Sequence, residues 1–162
     1  MKMFVAGLFA CLSLTSAAIA STKENEVTCL AQAIYHEARG EPERGRLAVA
    51  QVVLNRVNQP GYPETICGVV FQNKQRKNRC QFSFACDGKR DTPKSGEIWD
   101  RSMTEAKSLH GCDAKCRAHR STKWKDAVWS STHFHATYVH PTWAKDFKRT
   151  EKIGEHIFYR DA

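Results

Sequence analysis

Val27, Leu30, Ala31, Ile34 and Ala38 recur at three- and four-residue spacing, which predicts an amphipathic helix from about Glu24 to Ala38. Arg39-Gly40 supplies the stop, because glycine can take the left-handed conformation that ends helices. A second helix opens at Pro42, where a missing N–H costs nothing, and runs to about Val57. Leu47, Ala50, Val53, Leu54 and Val57 give it an apolar face, and Asn58-Gln59-Pro60-Gly61 breaks it. Ile66 to Phe71 and Gln81 to Phe84 read as two short extended segments, a hairpin around the basic loop Asn73 to Arg79. A third helix is expected over Glu97 to Leu109, with Ile98, Trp99, Met103, Ala106 and Leu109 inward. Thr132 to Val139 alternates as an extended segment does, and Ile153 to Tyr159 closes the chain. The pattern predicts an α+β domain, mainly helical, with a small sheet.

The N-terminus departs from this pattern. Lys2 precedes an apolar run from Met3 to Ala18, followed by Ala18-Ile19-Ala20 and the polar Ser21-Thr22-Lys23, the layout of a secretory signal peptide with a small-residue cleavage site. The run is shorter than the roughly 20 residues a bilayer span needs, so stable membrane insertion after cleavage is not expected. Residues 1–20 are therefore assigned to a leader and residues 21–162 to one domain, which is secreted, periplasmic or held in the cell envelope. Lys2 leaves with the leader, so the 25 basic residues become 24 against 17 acidic ones, a charge of +7 with neutral histidines. That sign favours anionic polymers without choosing among nucleic acid, lipid and cell wall.

Without Cys11, six cysteines remain, and an even set in an exported chain predicts disulfides. If Phe71 faces Cys80 across the expected hairpin, Cys67 and Cys86 become near cross-strand neighbours and are expected to bridge. The competing use of these thiols is zinc, held by Cys112, Cys116 and His119, although the spacing is not one of the strong paired patterns.

The helical wheel singles out one carboxyl. At 100° per residue with Leu30 at zero, Ile34 falls near about +40°, Ala33 near about −60° and Glu37 near about −20°, along the buried stripe. Desolvation raises the pKa of such a carboxyl, as a general acid working near neutrality requires. The wheel alone equally allows an ion pair between Glu37 and a buried Arg39 or Arg56. Glu41 lies beyond Gly40 and reads as a cap or ion-pair partner.

Cys29-Leu-Ala-Gln-Ala-Ile-Tyr-His-Glu-Ala-Arg-Gly-Glu41 resembles the opening signature of the SleB/CwlJ family of cell-wall hydrolases. Leu47 to Val57, Tyr62-Pro63, Ile66 to Val70 and Cys80 to Gly88 are similar to its central blocks in order and spacing. Thr132-His-Phe-His135, Pro141-Thr-Trp143 and Ile153 to Arg160 are similar to its end. The resemblance implies a fold like that of lysozymes and lytic transglycosylases, with peptidoglycan glycan strands as partner. It also implies that Glu37 occupies the catalytic glutamate position and cleaves between MurNAc and GlcNAc. Lytic transglycosylases of this superfamily use one glutamate, the muramic 6-hydroxyl acting as internal nucleophile, whereas glycosidases in general use two carboxylates. Asp87 and Asp100 are the possible second acids, and Asp87 before Gly88 reads better as a turn former. The single-glutamate chemistry is expected, with no cofactor and no metal, in a monomer.

Substrate contacts are expected from Gln81 and Ser83, on one face of their extended segment, and from His133 and His135, on one face of theirs. Tyr138 and Trp143 are the aromatics placed to stack on sugars or to fill the core. Phe134 stands where many relatives carry a tyrosine, so no hydroxyl acts there. Two other classes are weighed against this reading. A metal-dependent hydrolase would draw on His133, His135 and His140, although no H-E-x-x-H pairing accompanies them. A non-catalytic wall-binding module would need only charge and aromatics. Nucleic acid is not an expected partner, because the aromatics are not interleaved with Lys and Arg in a recognised motif.

Overall fold

A computed structural model describes residues 14–77, 79–112, 116 and 127–161. Among the described residues, the helices α1 (Leu14–Ala38), α2 (Glu43–Val57), α3 (Ile66–Val70) and α4 (Glu97–His110) precede the strands β1 (His133–Ala136), β2 (Lys148–Ile153) and β3 (His156–Arg160). The strands form an antiparallel sheet in the order β1-β3-β2. Helix α1 ends at the expected Ala38 but begins ten residues ahead of Glu24, since no Gly or Pro interrupts residues 14–23. Most of the expected leader lies outside the described residues. Among those described, no helix is long and apolar enough to cross a membrane.

The stripe of α1 is buried as its periodicity requires, with Leu30, Ala31 and Ile34 at 0 % exposure. It packs with α2, α3, α4 and the segment carrying Phe82 and Phe84. Helix α2 is buried on almost every side because two cores share it. Leu47, Ala50 and Val53 face the helical core, while Ala48, Val49 and Val52 join Ala38, Val128, Ile153 and Phe158 beneath the sheet. The helix therefore fixes where the sheet sits relative to the end of α1. In α4, Ala106 and Leu109 are buried and Trp99 and Met103 packed against the core, but Ile98 is exposed. The buried position beside it on the wheel goes to Ser102, whose hydroxyl donates to Ile98 O at 2.8 Å.

The expected hairpin is absent. Residues 66–70 are helical, because Thr65 caps them by accepting from the Gly68 N–H at 3.0 Å, and residues 83–86 form a turn of 3₁₀ helix. The Cys67–Cys86 bridge falls with it. Cys67 joins Cys29 instead, tying α3 to α1, while Cys80 joins Cys86 and Cys112 joins Cys116. The last pair removes both thiols of the expected zinc alternative, whose His119 lies outside the described residues. Three bridges match an oxidising, extracytoplasmic setting.

Candidate functional site

A cleft of about 840 Å³ opens between the last turn of α1, residues 80–91 and the edge strand β1. Glu37 lines it, half-buried, and desolvation lifts its carboxyl from the usual 4.5 to about 7. Among the described residues, no side chain is hydrogen-bonded to or ion-paired with it. The arginine alternatives are engaged elsewhere. Arg39 is exposed and lies over the Tyr35 ring at 5.4 Å. Arg56 is 3 % exposed, its Nε donates to Thr132 O at 2.7 Å, and its guanidinium stands 5.5 Å from the Tyr62 and Phe82 rings. Burial pulls the Arg56 guanidinium down to about 10.

Every residue singled out for substrate contact lines the same cleft: Gln81, Ser83, His133, His135 and Tyr138. Gln81 and Ser83 arrive there by a bend and a 3₁₀ turn, which corrects the strand expected for them. The Gln81 amide oxygen, turned to Arg56, accepts from both terminal guanidinium nitrogens at 2.9 Å, so the buried cation orients a cleft amide. Tyr138 is 80 % exposed at the rim and is no core residue.

Pairing of β1 with β3 sets His133 and His135 on one face with Tyr159, and Phe134 on the other with Phe158 and His156. Both faces reach the cleft because β1 is an edge strand. His133 meets Thr132 Oγ1 at 2.9 Å and the Tyr62 hydroxyl at 3.4 Å, and His135 meets the Tyr159 hydroxyl and Ala136 O, each at 2.9 Å. Trp143 packs against both imidazoles. With both nitrogens of each ring engaged, these histidines form a polar-aromatic wall. Among the described residues, no group of three His, Cys, Asp or Glu could hold a metal ion. Burial, then the charge of Arg56, hold the His133 imidazole below its ordinary value.

Asp87 lines the cleft, but its Oδ1 accepts the Lys89 N–H at 2.8 Å beside Gly88 at φ +78°, a turn-forming arrangement. Asp100 sits exposed on α4 and does not line the cleft. Sequence reasoning passed over several lining residues, among them Arg56 as a cleft residue, Asp91 and His156. Asp91 comes to the site because its carbonyl accepts from His36 Nε2 at 3.0 Å, a contact 55 residues apart that no local pattern encodes. The alternation of β3 did hold a signal for His156, which shares a face with Phe158.

A family model described as Cell Wall Hydrolase matches residues 40–159. The chain belongs to the cell wall hydrolase family. The match opens three residues after Glu37, so the family model itself does not cover the carboxyl. A spore cortex-lytic enzyme of Halalkalibacterium halodurans is 49 % identical over 140 residues, covering 86 % of this cell wall hydrolase and 36 % of that protein. That of Oceanobacillus iheyensis is 30 % identical over 135 residues, covering 83 % of this chain and 41 % of the relative. The cell wall hydrolase thus spans less than half the length of these curated relatives. Among solved structures, the catalytic domain of the germination-specific lytic transglycosylase SleB from Bacillus anthracis is 28 % identical, with a TM-score of 0.59 over 84 % of this chain and 94 % of that one.

Glu41 completes the geometry. Its side chain is 10 % exposed, its Oε2 accepts the Glu155 N–H at 3.1 Å, and it lies against Gly154, where an added Cβ would fall 1.8 Å from Oε2. Glu41 thereby ties the α1–α2 corner to the β2–β3 turn, a contact with a distant turn rather than a cap on either helix. Gly154→Ala should cost about 2 kcal/mol, combining displacement of that carboxylate with the penalty of an L side chain at φ +54°. Thermal unfolding of the variant measures the loss.

Proposed function

We propose that this cell wall hydrolase cleaves the MurNAc-GlcNAc bond of peptidoglycan as a lytic transglycosylase, with Glu37 as its single catalytic carboxyl. The observation that carries the reading is a carboxyl raised to about 7, unpaired among the described residues and open to a cleft that takes a sugar chain. Protonated Glu37 donates its proton to the glycosidic oxygen, and the C1–O bond breaks to release the GlcNAc end as an alcohol. The muramic 6-hydroxyl then forms the new C1–O bond and gives its proton back to Glu37, leaving a 1,6-anhydro end and the enzyme unchanged. The Gln81 amide and the Ser83 hydroxyl offer hydrogen bonds to hydroxyl and N-acetyl groups, the internally bonded His133 and His135 shape the wall beside them, and Tyr138 at the rim offers a face for a sugar ring. No cofactor takes part. The chain acts as a monomer after its leader is removed, in the periplasm or cell envelope.

The B. anthracis relative is a lytic transglycosylase, which supports this choice. Hydrolysis by two carboxylates has one observation on its side, the presence of Asp87 and Asp91 in the lining. Mass spectrometry of products from purified peptidoglycan separates the two. Anhydro-muramic ends are expected, and reducing muramic ends would replace the proposal with the two-carboxylate mechanism.

A further inference from the structure

His156 is 7 % exposed and lines the cleft on the sheet face that carries Phe134 and Phe158. The Phe134 ring meets it edge-on with centroids 5.1 Å apart, which fixes the plane of the imidazole. Its Nδ1 is wholly buried without a hydrogen-bond partner, an arrangement that costs free energy unless something compensates it. The group within reach is the Glu41 carboxylate, whose Oε1 lies 3.8 Å from that nitrogen. Glu41 is itself held in place, by the Glu155 N–H on one side and Gly154 on the other.

We infer that Glu41 is a positioning residue for His156, keeping the proton on Nδ1 so that Nε2 meets the substrate as a hydrogen-bond acceptor. A carboxylate facing one ring nitrogen sets the tautomer, since an N–H directed at it is favoured and a lone pair is repelled. The nitrogen left bare is then Nε2, and the donors it can take are the hydroxyl and N-acetyl N–H groups of a glycan. Around the ring, Glu41 and Glu155 are the acidic groups and His135 the further titratable one. Burial, which outweighs the two glutamates, holds the imidazole below its ordinary value and so keeps it neutral near pH 7. The inference rests on the glycan-cleaving reading of the same cleft, and it assigns the cleft a second polar contact away from the His133-His135 wall.

Glu41→Gln is the informative change. The amide oxygen still accepts the Glu155 N–H and the size beside Gly154 is unchanged, but the amide nitrogen now faces Nδ1 and drives the proton to Nε2. In ring ¹⁵N NMR at pH 8, the wild type should show His156 protonated on Nδ1 and Glu41→Gln should show it on Nε2. Wall-lytic kcat/KM should fall about tenfold while the Tm stays within a few degrees, the effect of losing one hydrogen bond to the substrate. His156→Gln, which can place an acceptor near the Nε2 position, should retain more activity than His156→Phe. A wild-type proton on Nε2, or a folded Glu41→Gln protein with full kcat/KM, would overturn the inference. The NMR result does not depend on catalysis. Titration of folded Glu37→Gln protein with a GlcNAc-MurNAc tetrasaccharide should shift the His156 resonances, and no shift at saturation would overturn the substrate contact whatever the products prove to be.

Discussion

Glu37→Gln is expected to lower wall-lytic kcat by about 10²–10⁴-fold, the contribution typical of a positioned general acid, because the near-isosteric amide has no acid proton to give. The same substitution should stabilise the fold above neutrality. With its carboxyl at about 7 in the folded chain and near 4.5 when unfolded, Glu37 binds a proton in the native state that the unfolded chain has released between those values. Unfolding free energy therefore falls as pH climbs from 4.5 to 7 and stays reduced above. After allowance for solvent reaching a half-buried group, the cost is about 2 kcal/mol at pH 8 and nothing below pH 4. Melting curves of wild type and Glu37→Gln should coincide at pH 4 and separate in favour of the variant by pH 8. In the wild type, activity should decline with unit slope above about pH 7 as the acid ionises. A folded Glu37→Gln protein that keeps most of its wall-lytic rate would remove Glu37 from the mechanism.

The second large effect belongs to the bridge between Cys29 and Cys67. It spans a sequence separation of 38, against 6 for Cys80–Cys86 and 4 for Cys112–Cys116. On the chain-entropy model, replacing both Cys29 and Cys67 by Ala costs about 4 kcal/mol, against about 2 kcal/mol for either short bridge. Such a loss is a large part of the roughly 5–15 kcal/mol that holds a domain folded, and at about 2–4 °C per kcal/mol it should lower the Tm by about 10 °C. Cys29 is 5 % exposed within the helical core, so its change to Ala also removes packing. Non-reducing peptide maps should recover Cys29 linked to Cys67. A Cys67–Cys86 peptide would contradict the fold around α3.

The elements legible in the sequence are those whose signals are long. Fifteen residues of α2 and fourteen of α4 give several turns of periodicity, and their boundaries fall within a residue or two of expectation. The wheel of α1 likewise aims Glu37 along the buried stripe, and Glu37 lines the cleft. Residues 66–70 span little more than one turn, too short for a 3.6-residue period to be told from a buried strand. The Thr65 cap was the one local cue, and an apolar β-branched run masked it. Strand β2 also escaped notice, since Lys148 to Ile153 is mostly charged and becomes a strand through pairing with β3. Site residues followed the same division. Glu37, Gln81, Ser83, His133, His135 and Tyr138 could be named from local pattern and family blocks, whereas Arg56, Asp91 and His156 reach the cleft through long-range contacts.

Glu37 stands one residue before the end of α1, and there the backbone itself carries a partial negative charge, because the carbonyls of a last turn have no amide partners within the helix. An anion at that point is opposed by the main chain as well as by the loss of water. Loss of water is the larger of the two and the helix end adds to it, so the point at which α1 stops also bears on the proton affinity of this carboxyl.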